Sequence, residues 1–180
     1  MRVRRTVPTA SPQLSEPIEM TPTPVSAGFT GLYERHYEAV FRAALRVTGR
    51  PADAEDVLQT VFLRVLSQRD QEQAAVRPAA YFRRAAVNAA VDLLRRRAVS
   101  AETAYDDGAP HAAVEPALFL KEQLRRALAT LDTDDATLFL LRHVAGLSNQ
   151  ELADEFELEK NNVAVRLHRI RMRLQAAMDR

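Results

Sequence analysis

Four histidines, His36, His111, His143 and His168, lie scattered along 180 residues without the spacing that holds a metal ion. None sits beside a candidate nucleophile in sequence, and a Glu–His pair assembled across the fold is the one catalytic arrangement left open. The chain has no cysteine, which rules out disulfides and thiolate sites and suits a cytoplasmic location. No Gly-rich phosphate loop is present. The residues therefore argue against an enzyme and predict no catalytic group, metal or cofactor. What the chain does carry is arginine in helical register. One set is Arg84, Arg95, Arg96 and Arg97, and another is Arg166, Arg169, Arg171 and Arg173. A formal net charge of +1 does not announce a nucleic-acid binder, so these cations matter by position.

The second set lies in a segment with two helix signals. Ser148 and Glu151 have capping-box spacing, and Leu147 and Leu152 stand at the two positions of a hydrophobic staple. The short helix they start ends near Phe156. After Glu157-Leu158-Glu159 a longer helix follows, with Val163, Leu167, Ile170 and Leu174 on one stripe. Arg166, Arg169 and Arg173 flank that stripe on one side and Arg171 on the other. A capped short helix, a tight turn and a basic helix make a helix-turn-helix, whose second helix enters the major groove of DNA. A helical hairpin with a solvated arginine face fits the same residues, and by themselves they leave the two readings even.

The elements that must position these residues are all helical. Apolar content of 47% is enough for compact cores, and no run approaches a membrane span or a signal-peptide core. Residues 1–28 hold five of the nine prolines and little periodic apolarity, which predicts a disordered tail with a basic tip at Arg2, Arg4 and Arg5. A first helix is expected from Phe29 to Thr48, stopped by Gly49, and a second from Pro51 to Gln68. The second buries Ala54, Val57, Leu58, Val61, Phe62 and Val65 and turns Asp56, Gln59, Thr60 and Leu63 outward. Arg69 to Arg77 reads as a polar loop. A third helix, Pro78 to Arg97, sets Tyr81, Arg84, Asn88, Asp92 and Arg95 along one side.

From Ala98 to Pro116 the periodicity stops and Glu102, Asp106, Asp107 and Glu115 make the segment acidic, as in a linker. Beyond it, a helix from Ala117 to Leu131 and one capped by Asp132 or Thr133 lead into the helix-turn-helix. The expected fold is all-α. Two small helical domains, 29–97 and 117–180, are joined by a flexible linker, 98–116, and the second contains the helix-turn-helix.

Two stretches then carry a family resemblance. Arg166-Leu167-His168-Arg169-Ile170-Arg171-Met172-Arg173-Leu174, with its lead-in Leu141-Arg142-His143-Val144-Ala145-Gly146-Leu147-Ser148, resembles the fourth conserved region of bacterial sigma-70 family factors, extracytoplasmic-function (ECF) class. Asp53-Ala54-Glu55-Asp56-Val57-Leu58-Gln59-Thr60-Val61-Phe62 and the run from Ala80 to Arg96 are similar to the second conserved region. The resemblance implies docking on the β′ clamp helices and β flap of core RNA polymerase, with Asp56, Gln59, Phe62 and Leu63 as the core-binding residues. It implies melting of the minus-ten promoter element by Tyr81, Arg84, Asn88, Arg95, Arg96 and Arg97, and minus-thirty-five recognition by Asn162, Ala164, Val165, Arg166, His168, Arg169 and Arg173. It also admits an anti-sigma factor as a partner, and no membrane insertion.

The chain departs from the family pattern in places. Tyr81 replaces a usual tryptophan, Glu157 a usual turn glycine, and Glu159-Lys160-Asn161-Asn162 a usual Ser-Glu-Gly-Thr. Losing the capping hydroxyl weakens that helix start by ~1 kcal/mol unless an Asn takes over. Ala164 and Val165 replace polar or basic residues, which leaves thymine methyls as their natural contacts. Two rival readings follow: a helix-turn-helix regulator independent of polymerase, and a sigma mimic that titrates a regulator.

Overall fold

The computed structural model describes residues 24–67, 70–103 and 116–179, and every regular element among them is an α-helix. The expected basic tip and the acids Asp106, Asp107 and Glu115 lie outside the described residues. α1 (Pro24–Thr48) begins inside the segment expected to be disordered, with a proline in its first turn, where a missing N–H costs nothing. Gly49, at φ 74°, ends α1 in the left-handed conformation that a C-terminal stop needs. α2 (Pro51–Leu66) again opens on proline.

The expected polar loop instead contains a short helix, α3 (Gln71–Val76), whose Ala74 is fully buried. Six residues are too few for helical periodicity to register in sequence. α4 (Pro78–Thr103) runs past the expected end at Arg97. Residues 98–103 contain no Gly or Pro, so the loss of apolar pattern there does not stop the helix.

α1, α2 and α4 form the first unit. Val40, Ala44 and Val47 meet Val57, Val61 and Val65 of α2 and Phe82, Ala86, Ala90 and Val91 of α4, all buried. The alanines let α4 approach closely. Phe62 sits in an aromatic cluster with Tyr33 (ring centroids 4.8 Å apart) and Phe82 (5.0 Å), while His36 stacks on Phe82 at 4.7 Å.

The second unit comprises α5 (Pro116–Thr130), α6 (Thr133–His143), α7 (Asn149–Phe156) and α8 (Lys160–Met178). Asp132 caps α6 by accepting from Asp135 N–H at 2.8 Å. The capping box forms in full: Glu151 N–H donates to Ser148 Oγ, and Ser148 N–H donates to Glu151 Oε2. Leu147, Leu152 and the stripe Val163, Leu167, Ile170 and Leu174 are buried. α8 starts from Glu159 with no side-chain cap, so neither Asn161 nor Asn162 replaces the lost hydroxyl. The two units share one continuous apolar core, with α4 packed on α5 and α6. No helix of the described residues is long and apolar enough to cross a membrane.

Candidate nucleic-acid interface

The buried stripe of α8 fixes which of its residues face out. Asn162, Ala164, Val165, His168 and Arg169 are exposed, together with Met172, and Val165 keeps 49% of its surface. Arg169 has no ion pair or hydrogen bond among the described residues. Arg166 and Arg173, which the resemblance assigns to minus-thirty-five recognition, engage α6 instead. Arg166 Nε donates to Asp135 Oδ1 at 2.6 Å and Arg173 Nη1 to Asp135 Oδ2 at 2.7 Å.

Asp135 is only 8% exposed, so its carboxylate depends on these two donors. Asp132 stands behind them at 3.9 and 3.6 Å. Burial works to raise the Asp132 pKa, but the Asp135 N–H and the two guanidinium ions outweigh it and hold the carboxyl below its ordinary value. Arg166 and Arg173 are thus a clamp between α6 and α8, and the exposed face of α8 is the set beside it. The sequence placed Asp135 in a helix's first turn; nothing local marked it as the partner of residues some 31 and 38 positions away.

α4 presents a different situation. Tyr81, Arg84, Asn88 and Arg95 do share one side of the helix, as the spacing predicts, but that side faces the second unit. Arg84 Nη1 donates to the Glu155 carbonyl at 3.2 Å, and its guanidinium lies 4.7 Å from the centre of the Phe156 ring. Thr137 donates its hydroxyl proton to Asn88 Oδ1, and Arg95 donates to Thr133 Oγ1 and to the Leu131 carbonyl. Arg83, beside them, pairs with the Glu155 carboxylate at 3.3 Å. Tyr81 donates to Asp70 Oδ2 at 2.8 Å, and burial together with that carboxylate pushes its hydroxyl pKa well up, so it stays a donor.

Arg97 is the correction at the far end. It pairs with Asp53, a carboxylate only 1% exposed, and ties α4 to the start of α2. Arg96 remains exposed. Between α3, α4 and α7 opens a cleft of about 840 Å³, lined among others by Arg64, Arg77, Arg84, Asp154, Glu155 and Glu157.

On α2, Asp56, Gln59 and Leu63 are exposed as expected, Leu63 at 60% with Leu66 at 48% beside it. Phe62, expected to join them, is 4% exposed and belongs to the aromatic core. Apolar periodicity places Phe62 on the buried side of α2, and the packing follows that pattern over the docking role the resemblance implies. Among the described residues no cluster of His, Asp or Glu is placed to hold a metal ion.

Comparison with known proteins gives this geometry its context. Sigma-70 region 2 matches residues 32–99, and Sigma-70 region 4 matches residues 121–174. The chain is 31% identical over 145 residues to RNA polymerase sigma factor CarQ of Myxococcus xanthus, covering 78% of this chain and 83% of the relative. It is 28% identical to ECF RNA polymerase sigma factor SigE of Mycolicibacterium smegmatis, spanning 59% of that relative's length and 80% of its own. Among solved structures, CnrH in complex with the cytosolic domain of CnrY shares the fold, with a TM-score of 0.51 and 24% identity over 85% of this chain and 88% of that one. With both conserved regions in order, and a relative of this identity and coverage, the chain belongs to the sigma-70 family of RNA polymerase sigma factors, in its ECF subfamily.

Proposed function

We propose that the protein binds core RNA polymerase through the outer face of α2, opens the minus-ten element with α4, and reads the minus-thirty-five element with α8. As a sigma factor it is not an enzyme; polymerase makes the bonds. The observation that carries this reading is Leu63. A leucine 60% exposed on the same face as Asp56 and one turn beyond Gln59, with no other part of the described chain covering it, is an apolar anchor beside an acidic, polar rim. That is the composition expected of a small docking patch for a basic partner surface.

For DNA, Arg169 and His168 supply donors to base edges in the major groove, and Val165 and Met172 supply apolar contact to thymine methyls. Tyr81, Arg84, Asn88, Arg95 and Arg96 supply stacking, amide and cation chemistry for a melted strand. Arg97, Arg166 and Arg173 act one step back, by holding the helices that carry these groups.

The working division is a promoter-opening unit, 29–97, and a promoter-reading unit, 117–180, in the cytoplasm. The groove lined by Leu45, Leu118, Leu124, Phe139 and Val144, with Phe119 and Leu120 exposed nearby, is the surface we assign to an anti-sigma factor. The test is run-off transcription with core polymerase, with mapping of the start sites. Core-dependent, sequence-specific starts are expected. A chain that binds DNA but neither co-purifies with core nor starts transcription would be a helix-turn-helix regulator instead. One that binds neither core nor DNA would fit the mimic.

A further inference from the structure

Two cations of α4, Arg83 and Arg84, do not wait for DNA in this structure; they are held by α7. At the last turn of α7 and the residue after it, Asp154, Glu155 and Glu157 line the cleft beside Arg64, Arg77 and Arg84. The Glu155 carboxylate takes Arg83, and the Glu155 carbonyl, at the negative end of the helix, takes Arg84. The Phe156 ring lies against the Arg84 guanidinium. Anion, carbonyl and flat ring together are the groups that a nucleotide would offer to the same side chains as phosphate and base. Glu157 extends the acidic edge although its φ of 53° is one that favours glycine and disfavours glutamate. An acid kept at a position that costs backbone strain asks for a reason beyond the turn, and the basic cleft in front of it supplies one.

We infer that Asp154–Glu157 is an internal substitute for the melted promoter strand. The closed chain offers α4 a carboxylate and an aromatic ring from its own second unit, and single-stranded DNA reaches Arg83 and Arg84 only by displacing them. This rests on the assignment of α4 to promoter opening. The pairing is built to be exchanged: Glu155 Oε1 and Arg83 Nε are buried without a partner, so the ion pair is single-pronged where a phosphate has more acceptor oxygens to give. The other contacts that closure makes, Thr137 to Asn88 and Arg95 to Thr133 and Leu131, occupy the same side of α4 and open with it.

The experiment uses the full chain without polymerase. The chain has no cysteine of its own, so Ser67→Cys and Gln175→Cys give one label site on each unit for energy transfer. The probe is a fluorescein-free oligodeoxythymidine 12-mer for the transfer measurement and a fluorescein-labelled one for anisotropy. Transfer is expected to fall as the 12-mer is added. Glu155→Gln with Glu157→Gln is expected to lower transfer without DNA and to tighten 12-mer binding about tenfold, as for a state held about ten to one closed. Binding without change in transfer, a double variant that binds no more tightly, or no binding to either form would each overturn the inference. If circular dichroism shows the double variant unfolded, the parent's transfer titration decides alone. Failure of run-off transcription with core sinks the sigma-factor reading and leaves the transfer result standing. Normal transcription with unresponsive transfer sinks only the substitute strand.

Discussion

α4 and α8 each carry arginines along one flank, yet the two helices use them in opposite ways. On α8 the inner arginines, Arg166 and Arg173, are clamped on Asp135, and this leaves the outward set, Asn162, Val165, His168 and Arg169, free to meet a groove. On α4 the residues proposed to meet DNA are themselves engaged, Arg84 by Glu155 and Phe156, Asn88 by Thr137, Arg95 by Thr133 and Leu131. In the proposed function one helix reads duplex DNA and can present its face permanently, because a basic helix on water costs little. The other would meet unpaired bases, and a cleft of cations with a tyrosine in it would hold any passing polyanion. Covering it with the second unit restrains that, and it makes opening a step that something else must drive.

The largest effect should come from a surface that neither arrangement touches. Asp56→Arg with Leu63→Ala removes the acidic rim and the apolar anchor of α2 together. A loss of more than about 2 kcal/mol in core binding is expected, the scale of an interface hot spot. Both residues are exposed, so the melting temperature should hold, with stability changed by no more than about 0.5 kcal/mol. Pull-down of core with the variant at parental strength would remove α2 from the docking surface.

The clamp on α8 comes next. Asp135→Ala leaves two guanidinium ions without their carboxylate and opens the α6–α8 contact. Breaking a buried pair costs roughly 3–5 kcal/mol, and because Arg173 is about half exposed and Arg166 a third, about 2 kcal/mol is the expected loss here. Thermal or urea unfolding measures it, and an unchanged midpoint would show that the clamp is decorative. On α4 the matching change, Glu155→Gln, removes a carboxylate that meets only Arg83, at 3.3 Å, where Asp135 takes two arginines, so it should cost less stability.

How far the sequence revealed this comparison depends on the range of each interaction. Capping at Ser148 and Glu151, the buried stripe from Val163 to Leu174, and the outward leucine at position 63 are all local, set by residues three or four apart, and the chain spells them out. The partners of Arg97, Arg166 and Arg173 come from other helices. Asp53 and Asp135 each look like ordinary first-turn acids, favourable to a helix dipole, until packing brings an arginine from 31 to 44 residues away. The closure of α7 over α4 is of the same kind. α3 was hidden for a different reason, its length, and the extension of α4 to Thr103 because apolar periodicity marks burial and not helix ends.

Reading and holding separate within α8 itself. Arg169→Ala should leave unfolding unchanged and weaken the preferred promoter by roughly 1–3 kcal/mol, with a scrambled sequence affected far less. Arg173→Ala should lower the unfolding midpoint and change the salt dependence of DNA binding by less than about one counterion, because its guanidinium sits on Asp135. Binding titrations at several salt concentrations check both. A full counterion lost with Arg173 would place it on the phosphate backbone.

The smallest effect concerns pH and sets the two units side by side. His36 of the first unit has its pKa lowered by burial and by Arg35, and His143 of the second by burial and by Arg171 and Arg142. A lowered histidine pKa means that the unfolded chain takes up a proton before the folded one does. The stability these histidines contribute is therefore complete above the ordinary histidine value of about 6.5 and declines as pH falls below it. His36 also faces Arg42, Arg46 and Arg83 around its pocket, so no acid there reverses the sign. Asp132 belongs only to the second unit and is lowered as a carboxyl, so its contribution survives mild acid and is lost only as pH drops through its depressed folded value. Urea unfolding from pH 7.5 to 5 should show a shallow decline that His36→Gln with His143→Gln flattens. Below pH 4 a further loss should appear in the second unit, visible as faster exchange of the α8 amides that face α6. A parent chain whose stability is flat between pH 7.5 and 5 would mean that neither histidine is more protonated in the unfolded chain.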